Sequence, residues 1–143
     1  MPEEDYLQLS IDKAHEGKTP FGAVIVQEDK VLAAVFNTVS QTKDPTAHAE
    51  VNAIREACQK SASTKLKDAI LYTTCEPCPM CTAAALYTGI KEVVYGASIP
   101  LISQYLPQIM LRSSELIKHS EQKVKIREVE NVAPYEKLLQ QYA

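Results

Sequence analysis

Residues 69–96 read AILYTTCEPCPMCTAAALYTGIKEVVYG, and this stretch decides the fold. Ala69 to Thr74 is a β-branched and apolar run with the composition of a strand. A helix is entered at Pro77-Cys78 and runs through Ala83-Ala84-Ala85-Leu86 to Gly89, a residue suited to a C-terminal stop. That helix is apolar nearly all round, so burial is expected. Glu92-Val93-Val94-Tyr95-Gly96 is a further strand. A strand, a helix and a strand in succession favour parallel pairing, with the helix laid on one face of the sheet.

Upstream, Ala47, Val51, Ile54 and Cys58 recur at spacings of four, three and four, which predicts one buried face of a helix running to about Lys60. Cys58 continues that apolar stripe and reads as a core thiol. Asp44-Pro45-Thr46 carries helix-start chemistry, and Asn37 to Lys43 is polar and loop-like. Ala23-Val24-Ile25-Val26 and Val31 to Phe36 flank the polar turn Glu28-Asp29-Lys30, which predicts a hairpin. Residues 3–16 show helical periodicity through Leu7, Ile11 and Ala14, ended by Gly17; His15 reads as a surface or helix-end residue. Downstream, Pro100 and Pro107 punctuate an irregular stretch. Ile109 to His119 then reads as a helix, Val124 to Val129 as a strand and Pro134 to Tyr142 as a last helix. The expected fold class is α/β: a three-layer α-β-α sandwich with a central five-stranded mixed sheet.

The 143 residues suit a single domain, 1–143, large enough to bury a core without disulfides. Apolar content of 45% and charged content of 23% are ordinary for a globular protein. A net charge of −3 offers no electrostatic attraction to nucleic acid. The N-terminus is acidic, with no secretory pattern, and no apolar run reaches ~20 residues. Cys75, Cys78 and Cys81 crowd into seven residues, which suits a reducing compartment better than a disulfide framework. A soluble, cytoplasmic protein is expected.

Chemistry concentrates in two short motifs, His48-Ala49-Glu50 and Pro77-Cys78-Pro79-Met80-Cys81. Cys78 and Cys81 are three apart, so at a helix start they lie on one face and can grip one ion. The positive end of the helix dipole there favours thiolates. His48 with the two cysteines makes three zinc ligands and leaves a fourth position for water. Glu50 lies two residues from His48; both reach one site only if it sits across the mouth of their helix, so two helix N-termini are expected to face one zinc. Glu50 suits a proton shuttle better than a fourth ligand. Zinc acidifies water to near neutrality, and one carboxylate can carry its proton first to a ring nitrogen and then to departing ammonia. Two other readings compete. Cys75 could close a structural zinc site, but that leaves Glu50 idle. A thioredoxin-like redox pair gives His48-Ala49-Glu50 no task. Asn37 can be read as an ordinary turn residue.

Three segments together resemble the cytidine/deoxycytidylate deaminase superfamily, and within it the branch of guanine deaminases and tRNA adenosine deaminases. They are Pro20-Phe21-Gly22-Ala23-Val24-Ile25-Val26, Asp44-Pro45-Thr46-Ala47-His48-Ala49-Glu50 and Thr74-Cys75-Glu76-Pro77-Cys78-Pro79-Met80-Cys81. The likeness covers about Pro20 to Ala97. It implies zinc on His48, Cys78 and Cys81, and Glu50 as proton shuttle. It also implies substrate contacts from Asn37, the backbone of Ala49 and Glu76, and an apolar wall from Phe21. The implied activity is hydrolytic deamination of a free base or nucleoside, guanine first. A tRNA adenosine deaminase, a cytosine or cytidine deaminase, and a non-catalytic zinc-stabilised binding domain are the alternatives. Family members commonly form homodimers. Residues 98–143 lie beyond the likeness and are expected to complete the pocket or the dimer.

Overall fold

A computed structural model describes residues 2–143. Its elements run α1 (Glu3–Gly17), β1 (Gly22–Gln27), β2 (Lys30–Phe36), α2 (Val39–Thr42), α3 (Ala49–Ser61), β3 (Ile70–Cys75), α4 (Pro79–Thr88), β4 (Glu92–Ala97), α5 (Ile99–Ile102), α6 (Ser113–Lys118), β5 (Lys125–Glu128) and α7 (Ala133–Tyr142). The strands form one five-stranded sheet in the order β2-β1-β3-β4-β5. β1 pairs antiparallel with β2 and with β3. β3–β4 and β4–β5 are parallel, as the strand–helix–strand reading requires. The expected mixed α/β sheet is the one observed.

Alternation along the strands explains both helical layers. Ala23 and Ile25 of β1, Leu71 of β3 and Val93 of β4 join one core cluster with the alanines of α3 and with Ala85, Leu86 and Ile117. Val24, Val26, Tyr72 and Val94 point the other way, against Tyr6 of α1. A third cluster packs Leu138 and Leu139 of α7 on Ala97, Ile102 and Ala14. Both faces are therefore apolar, as strands buried between two helical layers must be. The hairpin turn is two residues, Glu28 and Asp29, at φ 50° and 61°, which matches the twist of the strands it joins. Gly22 has no room for a side chain, because a Cβ there would collide with the Ser10 carbonyl of α1. Gly89 ends α4 at φ 71°, the left-handed geometry expected of a glycine stop.

Four local expectations are corrected. The buried face of α3 is Ala49, Glu50, Ala53 and Ala57; Val51, Ile54 and Cys58 are only partly buried. Small side chains let α3 approach the sheet closely, so the larger ones splay to its flanks and Cys58 packs at the core's edge. α4 is not buried all round: Tyr87 is 74% exposed and Met80 36%. The loop after Asn37 contains one helical turn, α2. Finally, Ile109, Met110 and Leu111 are exposed and non-helical, and α6 begins only at Ser113.

Candidate metal centre and active site

The carboxyl end of β3 and the starts of α3 and α4 meet at one place. His48 is the N-cap of α3 and Cys78 the N-cap of α4, both in extended backbone. Pro79 fills the first position of α4, a role the sequence suggested for Pro77, and Cys81 follows in the same turn. α3 therefore begins later than Asp44-Pro45-Thr46 suggested. The Asp44 carboxylate is spent on a local turn, accepting from the Thr46 amide at 2.8 Å and the Thr46 hydroxyl at 2.6 Å. Neither His48 nor Cys78 uses its side chain to cap the helix it starts. Both side chains turn instead into the gap between the helices.

His48 Nδ1 lies 3.6 Å from Cys78 Sγ and 3.7 Å from Cys81 Sγ, and the three ligand atoms all fall within 4.8 Å of one another. A tetrahedral zinc ion, with bonds of about 2.3 Å to sulfur and 2.0–2.1 Å to nitrogen, sets sulfur and nitrogen about 3.6 Å apart. The donor set and its spacing thus fit one zinc ion, with Nδ1 as the histidine ligand. Donation from Cys81, with His48 alongside, holds the Cys78 thiol at about 4 against the opposing effect of burial. That is the thiolate a metal requires. The hydrogen bond to Cys78 in turn raises the pKa of His48, more than burial lowers it.

Glu50 sits in the first turn of α3, 5% exposed, with Thr73 as a hydrogen-bonding neighbour. Burial, reinforced by the Cys78 charge, pushes its carboxyl up to about 7. His48, Glu50 and Cys78 line a cavity of about 560 Å³, within the usual range for small-ligand sites. Phe21 and Asn37 supply another part of its wall. Asn37 is also the turn residue its sequence context suggested: its Oδ1 accepts from the Val39 amide at 3.0 Å, leaving its NH₂ group for a ligand. Ala49 is fully buried at the head of α3. Cys75 borders the same cavity, but its thiol turns to the Pro20 carbonyl at 3.9 Å, and it stands outside the three-residue cluster. Burial raises its pKa, so it is a poor closing ligand. His15 lies elsewhere, bonded to the Tyr142 hydroxyl at 2.7 Å.

Residues 2–97 match the model of the cytidine and deoxycytidylate deaminase zinc-binding region. The chain belongs to that family. It is 46% identical over 102 residues to a guanine deaminase of Bacillus subtilis, a stretch covering 68% of this chain and 65% of that protein. It is 39% identical over 101 residues to a tRNA-specific adenosine deaminase of Aquifex aeolicus, covering 68% and 67%. A solved structure from work on A-to-I editing by tRNA:A34 deaminases superposes with a TM-score of 0.83 at 27% identity, covering 95% of this chain and 99% of the other. As a family member with this donor set, the chain carries a site for one zinc ion on His48, Cys78 and Cys81.

The sequence assigned residues 98–143 to the pocket or the dimer without naming the side chains that stand opposite the metal. Ile102, Leu106, Pro107, Gln108 and Ile109 complete the cavity wall. The Glu76 side chain, taken beforehand only as a backbone contact, is wholly engaged with Ile99, Arg112 and Ser113. No spacing rule links residues so far apart, so no sequence signal marked them. No helix among the described residues is long and apolar enough to cross a membrane.

Proposed function

We propose that this chain hydrolytically deaminates a free nucleobase or small nucleoside, guanine first. The observation that carries this reading is the buried Glu50 carboxyl sharing one cavity with His48 and Cys78, two of the three clustered zinc ligands. A structural zinc site has no use for such a group, and burying a carboxyl without a task is costly.

Zinc, when bound, supplies a water acidified to near neutrality. Glu50 takes one proton from that water at a carboxylate oxygen and passes it to a ring nitrogen beside the carbon under attack. The second water proton leaves by the same carboxylate for the departing amino group. Water and C–NH₂ thus become C=O and ammonia, with Glu50 restored. A single carboxylate beside the attacked carbon can both accept and return a proton, so no second acid is needed. The Asn37 NH₂ group, the backbone of Ala49 and Glu76, and the Phe21 ring orient and cover the base.

Guanine is placed ahead of tRNA because no lysine or arginine lines the cavity, and Ile102, Leu106, Pro107 and Ile109 cover part of it with apolar side chains. Gripping a polyanion calls for basic contacts. The tRNA reading keeps the support of the close superposition on a tRNA deaminase chain. Ammonia release from zinc-loaded protein, offered guanine, cytosine, adenine, their nucleosides and tRNA, separates these readings. Guanine as the best substrate is expected. Strong, salt-sensitive tRNA binding with no turnover of free bases contradicts it, and no ammonia from any of them favours a binding domain. A homodimer is part of the same proposal: Met80 and Tyr87 on α4 and Ile109, Met110 and Leu111 before α6 expose large apolar side chains. Sedimentation at the monomer mass contradicts that part.

A further inference from the structure

We infer that the Glu76 side chain is a positioning residue that sets the outer wall of the substrate cavity and thereby the size of base it admits; this rests on the deaminase reading above. Glu76 stands between the end of β3 and the zinc ligand Cys78. Its carboxylate is 1% exposed, yet every contact it makes is with the distal segment. Oε1 accepts from the Ile99 amide at 2.8 Å and from Arg112 Nε at 2.9 Å. Oε2 accepts from the Ser113 amide at 2.8 Å, the Ser113 hydroxyl at 2.6 Å and Arg112 Nε at 3.1 Å. Arg112 is steadied in turn by Tyr95, whose hydroxyl oxygen lies 3.2 Å from its Nη2.

Ile99 opens α5 and Ser113 opens α6, so one carboxylate ties together the first residues of both short helices. The chain between them is a loop closed at its base. That loop carries Ile102, Leu106, Pro107, Gln108 and Ile109, the whole distal wall of the cavity. Glu76 therefore fixes the distance from the zinc-binding turn to the opposite wall. Its carboxylate has no capacity left for substrate, which separates this task from that of its backbone. Ser113 and Arg112 allow the clamp to be tested apart from the substrate site, since neither lines the cavity.

The test uses the full-length, zinc-loaded chain, with guanine and guanosine as probes. Ser113→Ala and Arg112→Ala each remove bonds to the clamp while Glu76 stays in place; Glu76→Gln replaces the acceptor itself. Zinc content is expected to stay at one per chain. The KM for guanine is expected to rise by about tenfold in Glu76→Gln, the scale of one hydrogen bond to a charged group, and less in the other two. kcat moves less than KM, and the preference for guanine over guanosine narrows in step. Hydrogen exchange across residues 103–111 accelerates while β3 stays protected. A fall in kcat at fixed KM, or unchanged exchange and selectivity in Ser113→Ala and Arg112→Ala, overturns the inference. If Glu76→Gln fails to fold, those two variants decide. Absence of ammonia from the wild-type chain refutes the deaminase reading, whereas the exchange measurement judges the clamp regardless.

Discussion

Residues 20–97 and residues 98–143 build opposite walls of one cavity by different means. In the first region every site residue is fixed by a secondary-structure terminus. His48 and Cys78 are N-caps, Glu50 and Cys81 lie in first turns, and the strand ends of β1 and β3 hold them together. In the second, the wall is the end of a four-residue helix and the loop leading to a six-residue one, with one buried carboxylate bonded to the first residue of each helix. Reaction chemistry rests on rigid element ends, where placement within fractions of an ångström is set by backbone geometry. On the function proposed above, substrate choice rests on a loop, which can vary without disturbing the metal.

The sharpest way to break this contrast is to remove a ligand. Cys78→Ala is expected to abolish zinc binding and turnover together, by metal analysis and ammonia release; zinc retained at one per chain would falsify the ligand assignment. A loop change should do the reverse. Leu106→Ala is expected to leave zinc content unaltered and raise the guanine KM by a few-fold, on the order of 1 kcal/mol for a half-buried side chain. If instead it strips zinc, the two walls are not separable.

Packing offers an intermediate test. Ala53→Leu forces bulk between α3 and the sheet and should cost about 1–3 kcal/mol in denaturant unfolding, whereas Cys58→Ser at the core's edge should cost less. The reverse order would restore the stripe read from sequence. The smallest effect concerns acid. Burial alone would raise the Glu76 pKa, but bonds from Ser113, Ile99 and Arg112 outweigh it and hold the carboxyl below 4.5. A group depressed on folding stabilises above its unfolded pKa and loses that contribution as pH falls through the folded value. Wild type should therefore lose stability below about pH 4.5 more steeply than Glu76→Gln; parallel curves contradict it.

The sheet and the metal cluster were legible because each depends on local pattern. The β-branched apolar run Ala23–Val26 marked a strand, and the spacing of Cys78 and Cys81 put both sulfurs within reach of one ion. The α3 stripe failed because apolar periodicity marks a face without saying how closely it packs, and alanines permit an approach that Ile54 does not. The helix expected from Ile109 starts only at Ser113, where contacts with the distant Glu76 gather. Arg112 is in extended backbone at φ −66° and ψ 144° as the N-cap of α6, with its side chain paired to Glu76, and the helix starts after it. Contacts between residues 76 and 112 leave no trace in either one's neighbours.

The central claim is that Glu50 moves protons beside the zinc without holding it. Glu50→Gln keeps shape and polarity and removes only the titratable group. The account predicts one zinc per chain and a loss of guanine turnover on the order of 10³-fold or more, with guanine still bound. Zinc lost with ammonia release intact would contradict it outright.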